Sequence, residues 1–551
     1  MTNPKPFLRI PPFPGSAAKP LAVAREQAAP APREALSALA SELVTARVGG
    51  SFWGQHARLP KGRDIILAPG SPRQASAMAG RARQGRYAHR CLLVGGGAPR
   101  HGIPRLPDAI DPWHLLARAE RVEADAGHEI ALIAALLDLP LTVHGEGPFR
   151  PLDSSTRDEE ALLGCVEQAV VAGCEYRDPF TGAIMAPGEA VALLARWRAL
   201  IDENRSASAI FGVARWKRVT MDALLWDGTG APRYSGAGAA MRLRRGDSAL
   251  AWKSRTPAAV LAMLDQRRVP VGEIEDGMIR STGLGANCVP PLSIIVDRDG
   301  AHFDPRRPSR LERILQDGEI GEAEVARAAA LRQRLIDAGI SKYGRDAVPA
   351  ARPGGARKRV LVTGQVEDDR AVVLGGAGLT NLALLFKARK LEPDAHIIYK
   401  PHPDVEAGHR AGRIRPSAAL ALADEIDASS SINALLESVD ALHVITSLAG
   451  FEGLMRGLAV TTHGVPFYAG WGLTTDLGPV PARRSRRRSL DELVAATLIL
   501  YPRYLDPVTR LPCPVEVLVD RIANNEASIR SPLVAIRELQ GRLKLAFRGA
   551  N

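Results

Sequence analysis

Two stretches decide the fold of the C-terminal half, "IIYKPHPDV" (Ile397–Val405) and "VITSLAGFEGLMRG" (Val444–Gly457). In each, a short apolar, β-branched run stops abruptly at polar residues, and the second run continues into a helical pattern. From Arg359 onward such runs alternate with helical patterns. The alternation predicts a parallel, doubly wound α/β sheet, whose ligands bind at the carboxyl ends of the strands.

The unusual polar residues of this half lie at those predicted strand ends. Thr446 and Ser447 open the helix "SLAGFEGLMRG", and a helix N-terminus with hydroxyl groups suits a phosphate. Ordinary N-capping explains the same residues. In "YKPHP" two prolines fix the backbone around His402, after Lys400, so that the imidazole can meet a phosphate oxygen. A structural hydrogen bond to a loop histidine is the alternative.

Acidic residues cluster at two further strand ends. "GQVEDDR" carries Gln365 and ends its acidic run at Asp369, and "EIEDGMIRSTGLG" carries Glu275, Asp276 and Arg280. Such clusters fit a magnesium site, an acidic helix cap or, from two facing lobes, the nucleophile and acid/base pair of glycosyl chemistry.

A loop of glycine and aromatic residues follows, "GVPFYAGWGLTTD" (Gly464–Asp476). Trp471 in this loop can stack on a base or shape a sugar pocket, and core packing explains it equally well. Dinucleotide, P-loop and hydrolase motifs are absent from the sequence.

The chain of 551 residues is long enough for three or four domains. Residues 205–345 have a mixed α/β pattern and are expected to form one Rossmann-like lobe, 346–358 a Pro/Gly/basic linker, 359–525 a second such lobe, and 526–551 a basic tail. Residues 1–200 repeat part of this pattern: "EYRDPFTG" around Tyr176 echoes "RYLDPVTR" around Tyr504. Matched by eye, Glu123-Ala124 takes the place of Thr446-Ser447, which predicts a degenerate copy.

Composition bounds the class of protein. Apolar residues make up 46% and charged residues 24%, as in soluble globular proteins, and five scattered cysteines without metal spacing indicate a reducing compartment. With no signal-peptide pattern at the N-terminus, a cytoplasmic protein is expected. The net charge of +12, part of it in "RRSRRRS" (Arg483–Ser489), favours an anionic partner such as lipid, or is a solvated face. Aromatics, at 5%, do not interleave with the basic runs, which disfavours nucleic acid.

Taken in order, seven segments resemble the capsule-polysaccharide β-Kdo transferases of Gram-negative bacteria: "EDGMIRSTGLG", "PPLSIIVD", "RRPSRLE", "GQVEDDRAVV", "YKPHPDV", "TSLAGFEGLMRG" and "PFYAGWGLTTD". The resemblance covers residues 205–525. Long members of that family carry two transferase modules, and this chain resembles the second module preceded by a shortened remnant of the first.

The resemblance implies a GT-B-like fold with a central cleft and a retaining transfer of Kdo from CMP-Kdo, without a metal or other cofactor. The acceptor is a Kdo-terminated glycolipid at the cytoplasmic face of the inner membrane, where other capsule-assembly proteins are partners. Asp369 takes the role of nucleophile and Glu275 that of acid/base. His402, Thr446 and Ser447 hold the CMP phosphate, with Lys400 beside them, and Glu452 faces the ribose. Asp276, Arg280, Gln365 and Trp471 are further candidates for substrate binding.

Two other hypotheses stay open from the sequence: a GT-B enzyme that uses another nucleotide sugar, and an inactive or scaffolding subunit of a capsule-assembly complex. A test of which nucleotide sugar the protein uses distinguishes the first hypothesis from a Kdo transferase. The presence of the acidic residues and His402 argues against an inactive subunit.

Overall fold

The protein is described by a computed structural model over residues 5–24, 30–57, 59–95, 102–107, 109–281, 288–342, 344–345 (backbone only), 357–408 and 410–527. Its chain forms two compact units. Unit 1 comprises Met1–Ser206, Leu225–Pro232 and Thr509–Leu511, and unit 2 comprises Ala207–Leu224, Arg233–Val508 and Pro512–Asn551. The predicted linker, except for residues 357–358, and the predicted tail, except for residues 526–527, lie outside the described residues.

Unit 1 is an α/β unit with a parallel sheet at its centre. Its strands are β1 (Ala22–Ala24), β2 (Ile65–Ala68), β3 (Cys91–Val94), β4 (Arg105–Leu106), β5 (Arg121–Asp125), β6 (Leu141–His144), β7 (Cys174–Arg177) and β8 (Ile184–Met185). Its helices are α1 (Arg33–Ala46), α2 (Pro72–Gln84), α3 (Pro112–Leu116), α4 (Glu129–Leu136), α5 (Glu159–Val166) and α6 (Pro187–Arg205).

The central sheet of unit 1 has the strand order β4-β3-β2-β5-β6, and all of its neighbouring strands are parallel. Strands β2 ("IILA") and β3 ("CLLV") are buried along their whole length, as expected for strands covered on both faces. A separate antiparallel sheet has the order β1-β7-β8.

Unit 2 contains the residues of the family resemblance. Its strands are β9 (Ala209–Phe211), β10 (Ala249–Ala251), β11 (Val271–Asp276), β12 (Ser293–Asp297), β13 (Ile340–Ser341), β14 (Gly344–Arg345), β15 (Arg359–Thr363), β16 (His396–Lys400), β17 (Glu425–Ile426), β18 (Ala441–Val444), β19 (Ala459–Thr462), β20 (Thr475–Asp476), β21 (Arg503–Leu505) and β22 (Pro512–Cys513). Its helices are α7 (Arg215–Leu224), α8 (Ala258–Gln266), α9 (Arg310–Gln316), α10 (Glu322–Asp337), α11 (Arg370–Gly375), α12 (Asn381–Leu391), α13 (Pro403–Glu406), α14 (Pro416–Leu420), α15 (Ile432–Glu437), α16 (Leu448–Met455), α17 (Leu490–Val494) and α18 (Val515–Ala523).

The first sheet of unit 2 has the order β22-β21-β12-β11-β10-β9 and corrects part of the sequence-based expectation. Only β9, β10 and β11 are parallel, whereas β12, β21 and β22 pair antiparallel. This lobe is therefore a mixed sheet and not a fully doubly wound one. Strands β21 and β22 were expected in the lobe 359–525, but their backbone hydrogen bonds go to the sheet of the preceding lobe, where Ser293 faces Tyr504.

The second sheet of unit 2 is parallel throughout, with the order β17-β16-β15-β18-β19-β20. The alternation of apolar runs and helical patterns predicted this arrangement. Helix α12 begins at the predicted cap, since Thr380 Oγ1 accepts a hydrogen bond from Ala383 N (3.2 Å). The α/β class with parallel sheets is thus confirmed.

The two parallel sheets have matching topology, because β4-β3-β2-β5-β6 repeats the order of β17-β16-β15-β18-β19. Beyond each sheet a π-helical turn is tied by a tyrosine: Tyr176 donates to Val170 O (2.8 Å), and Tyr504 donates to Leu498 O (2.7 Å). The shared strand order and the two equivalent hydrogen bonds support the repeat seen in the sequence.

We expect Tyr504→Phe and Tyr176→Phe each to lower the free energy of unfolding by about 1–3 kcal/mol, because each leaves a buried carbonyl without its donor. Urea denaturation followed by circular dichroism measures the change. Tyr399→Phe is the control, because this hydroxyl makes no hydrogen bond within the described residues, and it should stay close to wild type. Equal losses in all three variants would contradict the role of the tyrosine bonds.

Candidate functional site

The carboxyl edge of the second sheet of unit 2 joins two of the predicted residues. Gln365, beyond β15, donates from Nε2 to Thr446 Oγ1 (3.1 Å), and its Oε1 accepts from Thr446 N (2.8 Å). This pair of bonds fixes Thr446 at the start of α16. The threonine hydroxyl accepts from Gln365, so its own proton stays available for a ligand oxygen.

Ser447 caps helix α16. Its Oγ accepts from Ala449 N (3.2 Å), as the capping alternative predicts. Capping uses the hydroxyl as an acceptor and leaves its proton free to donate, so the cap and an anion contact are compatible.

His402 also caps a helix, the short α13. Its Nδ1 accepts from Asp404 N (3.2 Å), so the ring proton of the neutral imidazole lies on Nε2. Burial lowers the pKa of His402, and the charges of Asp404 and Asp369 only partly oppose this. A neutral histidine with an Nε2–H donor can bind a phosphate oxygen as a hydrogen-bond donor without adding a charge.

Glu275 lies near the end of β11, in the other lobe of unit 2. Burial, and then the negative charge of the neighbouring Glu273, raise its pKa to about 8, although Arg370 opposes the shift. Arg370 donates to Glu275 Oε1 (2.9 Å) and also to Glu273 Oε1, and its guanidinium lies 5.0 Å from the centre of the Phe303 ring. A carboxyl group that titrates near neutral pH suits general acid/base work.

Asp369 directly precedes Arg370 and caps α11. One carboxylate oxygen accepts from Ala371 N (3.1 Å), and the side chain is exposed. Arg370, the next residue, binds Glu275 of the first sheet, so this ion pair brings the start of α11 to the end of β11.

Asp276 and Arg280 form an internal ion pair. Arg280 is buried and its Nε lies 3.0 Å from Asp276 Oδ2, while Lys217 Nζ lies 3.3 Å from Asp276 Oδ1. Burial alone would raise the pKa of Asp276, but the cations Lys217 and Arg280 hold it below its ordinary value. Asp276 and Arg280 therefore make their contacts inside the protein, at the end of β11. Arg280 is too deeply buried to contact a substrate in this structure.

Lys217, on α7, was missed by the sequence reasoning. Burial lowers its pKa to about 8, and Nζ lies 3.1 Å from the centre of the Trp252 ring. A lysine inside an otherwise buried helix face is a signal that could have been read from "RWKRVTMDAL".

Three other predicted residues lie in buried positions. Lys400 is largely buried and Nζ donates to Ser430 O (2.5 Å). Glu452 is buried within α16. Burial raises the pKa of Tyr468, and the negative charge of Glu452 raises this pKa further. Trp471 is fully buried and donates from Nε1 to Phe467 O (2.9 Å), so the core-packing alternative describes it and a base-stacking role is wrong.

Comparisons with known proteins agree with the unit 2 motifs. A family model described as "Capsule polysaccharide biosynthesis protein" matches residues 248–338 and 321–504. The capsule polysaccharide modification protein LipA of Neisseria meningitidis serogroup B is 35% identical over 430 residues, which cover 75% of this chain and 61% of LipA. Residues 248–504 of the chain belong to the capsule polysaccharide biosynthesis family.

Two further comparisons concern parts of the chain. The lipopolysaccharide-processing protein LpsZ of Rhizobium meliloti is 47% identical over 244 residues, 43% of this chain and 54% of LpsZ. The structure of KpsC, β-Kdo 2,4 transferase, from Thermosulfurimonas dismutans is 31% identical, with a TM-score of 0.49, over 57% of this chain and 98% of that one. The chain thus spans less than two thirds of the length of LipA and LpsZ.

Unit 1 lies entirely outside the residues that the family model matches, and its strand ends differ from those of unit 2. Helix α4 begins after Gly127-His128, whereas α16 begins after Thr446-Ser447. The expected match of Glu123-Ala124 to Thr446-Ser447 is therefore wrong: Glu123 lies inside β5, where its carboxylate accepts from Tyr87 Oη (3.0 Å).

A cavity of about 860 Å³ borders the start of α4 in unit 1. Arg9 and Glu129 form an ion pair (2.8 Å) in its wall, and Glu129 also accepts from Ser51 Oγ (2.8 Å). The carboxylate of Glu129 thus stands at the helix N-terminus, where a phosphate would be repelled.

The basic run Arg483–Arg488 is mostly used inside unit 2. Arg484 and Arg488 are buried: Arg484 pairs with Glu312 (2.8 Å), and Arg488 donates to Leu315 O (2.6 Å). Arg483 also binds Glu312. The two buried arginines therefore cannot contact lipid. The exposed arginines of the run are Arg483, Arg486 and Arg487.

No helix in the described ranges has both the length and the apolar character needed to cross a membrane. Within the same residues, no cluster of three or more His, Cys, Asp or Glu side chains could hold a metal ion.

We expect Glu312→Ala to lower the free energy of unfolding by about 3–5 kcal/mol, because it leaves the buried Arg484 without its counter-charge. Glu319→Ala, at an exposed acid on the segment after the same helix, should change it by less than about 0.5 kcal/mol. Chemical denaturation of both variants compares them. Similar stability of the two would mean that the basic run is held by other contacts.

Proposed function

We propose that the chain is a retaining glycosyltransferase of GT-B architecture that moves β-Kdo from CMP-Kdo to a Kdo-terminated lipid acceptor. On this proposal it works at the cytoplasmic face of the inner membrane in assembly of the capsule linker. The observation that carries the proposal is the contact between lobes in unit 2, where Arg370 binds Glu275 and directly follows Asp369. The donor is taken from the family resemblance of the motifs in residues 205–525.

The first chemical step uses Asp369. Its carboxylate attacks the anomeric carbon of Kdo, the bond from that carbon to the phosphate oxygen breaks, and CMP leaves with the electron pair. On this proposal His402 Nε2–H, the hydroxyl groups of Thr446 and Ser447, and the N-terminus of α16 contact the phosphate; each of these groups lies just after a strand of the same parallel sheet. Because these groups stabilise a monophosphate leaving group, the leaving oxygen needs no proton.

The second step uses Glu275. The acceptor hydroxyl attacks the same carbon, its proton passes to the Glu275 carboxylate, and Asp369 is released. Two displacements on opposite faces restore the original anomeric configuration. A base whose pKa is about 8 is strong enough to take the proton and is partly ionised near neutral pH.

We expect Asp369→Asn to lower kcat by about 10³-fold or more, because it removes the attacking oxygen charge. Purified protein is incubated with CMP-Kdo and a Kdo-terminated acceptor, and the product is identified by NMR. The matched control is Asp368→Asn, because Asp368 is also exposed and pairs with the surface Arg410 (3.2 Å). Wild-type transfer by the Asp369 variant would refute its role as nucleophile.

A covalent intermediate should accumulate in Glu275→Gln, because the first step needs no base and the second does. Intact-protein mass spectrometry after mixing with CMP-Kdo is expected to show one anhydro-Kdo unit added, and peptide mapping should place it on Asp369. Hydrolysis of CMP-Kdo without any adduct in this variant, or an adduct elsewhere, contradicts the mechanism. An absence of transfer by the wild-type protein with CMP-Kdo, together with transfer from another nucleotide sugar, would favour the alternative donor.

The pH dependence should follow Glu275. Because this group acts as a base on the acceptor, kcat/KM for the acceptor is expected to rise with pH and level off above a pKa near 8. Removal of a neighbouring negative charge in Glu273→Gln lowers the pKa of Glu275 and moves the rise to lower pH. Removal of the positive charge in Arg370→Gln raises that pKa and moves the rise to higher pH. Shifts of the same sign in both variants would exclude Glu275 as the titrating group.

A further inference from the structure

Helix α12 presents large apolar side chains to solvent. Leu382 and Phe386 are 43% and 58% exposed, and they lie one turn apart on the same face. The opposite face, with Leu384, Leu385 and Ala388, is buried in the core beside the second sheet of unit 2. One side of the helix is therefore packed in the core, while Leu382 and Phe386 on its outer side leave much of their apolar surface exposed to solvent.

The charges around this pair are all positive on the helix itself. Lys387 and Lys390 are exposed, and the sequence of α12, "NLALLFKARKL", contains no acid. Arg389 lies seven residues after Leu382, and its guanidinium is engaged within the protein, because it donates to Leu422 O (2.8 Å) and pairs with Asp424 (2.5 Å). The next acid along the chain, Glu392, is neutralised by Lys358 (2.5 Å).

We propose that the outer face of α12 docks on an anionic lipid bilayer. Leu382 and Phe386 would enter the interface between headgroups and acyl chains, and Lys387 and Lys390 would meet lipid phosphates. Charge complementarity selects this partner: two exposed lysines on a helix that itself contains no acid attract a negative surface, and the apolar side chains beside them gain by leaving water. An isolated exposed apolar residue would carry no such meaning, since single ones are common on protein surfaces.

This inference rests on the proposed function, because an enzyme that acts on a lipid-linked acceptor has to work at a membrane surface. It also moves the lipid contact away from the run Arg483–Arg488, part of which is buried.

The test is sedimentation of the full chain with vesicles, in the absence of donor and acceptor. Vesicles of phosphatidylcholine with added phosphatidylglycerol should bind the protein at least tenfold more tightly than phosphatidylcholine alone, and added salt should weaken the binding. Leu382→Ser/Phe386→Ser is expected to reduce the affinity by about tenfold or more for each residue, and Lys387→Gln/Lys390→Gln by about fivefold for each charge.

Matched controls come from unit 1. Ile184→Ser changes an apolar residue that is 68% exposed, and Lys61→Gln changes an exposed lysine. Both should bind vesicles as the wild type does. Binding of the α12 variants at wild-type affinity, or equal binding to both kinds of vesicle, would overturn the inference.

Activity separates this inference from the proposed reaction. Transfer to a lipid-free Kdo oligosaccharide should be unchanged in the α12 variants, while transfer to an acceptor embedded in anionic vesicles should fall with the loss of binding. A protein that binds anionic vesicles through α12 but transfers no Kdo to any acceptor would refute the reaction and leave the docking surface intact.

Discussion

The ion pairs of Arg370 are the constraint on which unit 2 depends. The guanidinium of Arg370, at the start of α11, meets two carboxyl groups from the first sheet, Glu273 and Glu275, in a partly buried place. Two acids so close together in a low dielectric cannot both ionise freely, which raises the pKa of Glu275. The positive charge of Arg370 opposes this rise, so the pKa is about 8. The same contact joins the lobes and sets the proton affinity of the proposed base, so structure and chemistry are coupled at one residue.

The two parallel sheets show how one scaffold separates stability from chemistry. Their strand order is the same, and so is the tyrosine bond to the following π-helical turn. The differences lie at the carboxyl ends of the strands, where Gly127-His128 replaces Thr446-Ser447. Because strand ends do not contribute to the packed core, they can change without loss of the sheet. Unit 1 can therefore keep the same sheet with different residues at these positions.

Positive charge serves different purposes in different parts of the chain. In Arg484 and Arg488 it satisfies Glu312 and backbone carbonyls inside unit 2, whereas on α12 it is exposed beside apolar residues. A net charge of +12 therefore overstates what is available to an anionic partner. Burial decides how much of this charge is available, since a guanidinium held inside the protein cannot reach a lipid.

The sequence alone determined the parallel sheet of residues 359–476, because apolar runs alternating with helical patterns permit few other folds. It also located Glu275, Asp369 and His402 at strand ends, and it showed the repeat around Tyr176 and Tyr504. Only the tertiary structure decided that β12, β21 and β22 run antiparallel, that Trp471 belongs to the core and that Arg370 binds Glu275. Strand direction, burial and ion pairs arise from residues far apart in the chain, and local patterns carry no information about which distant groups will meet.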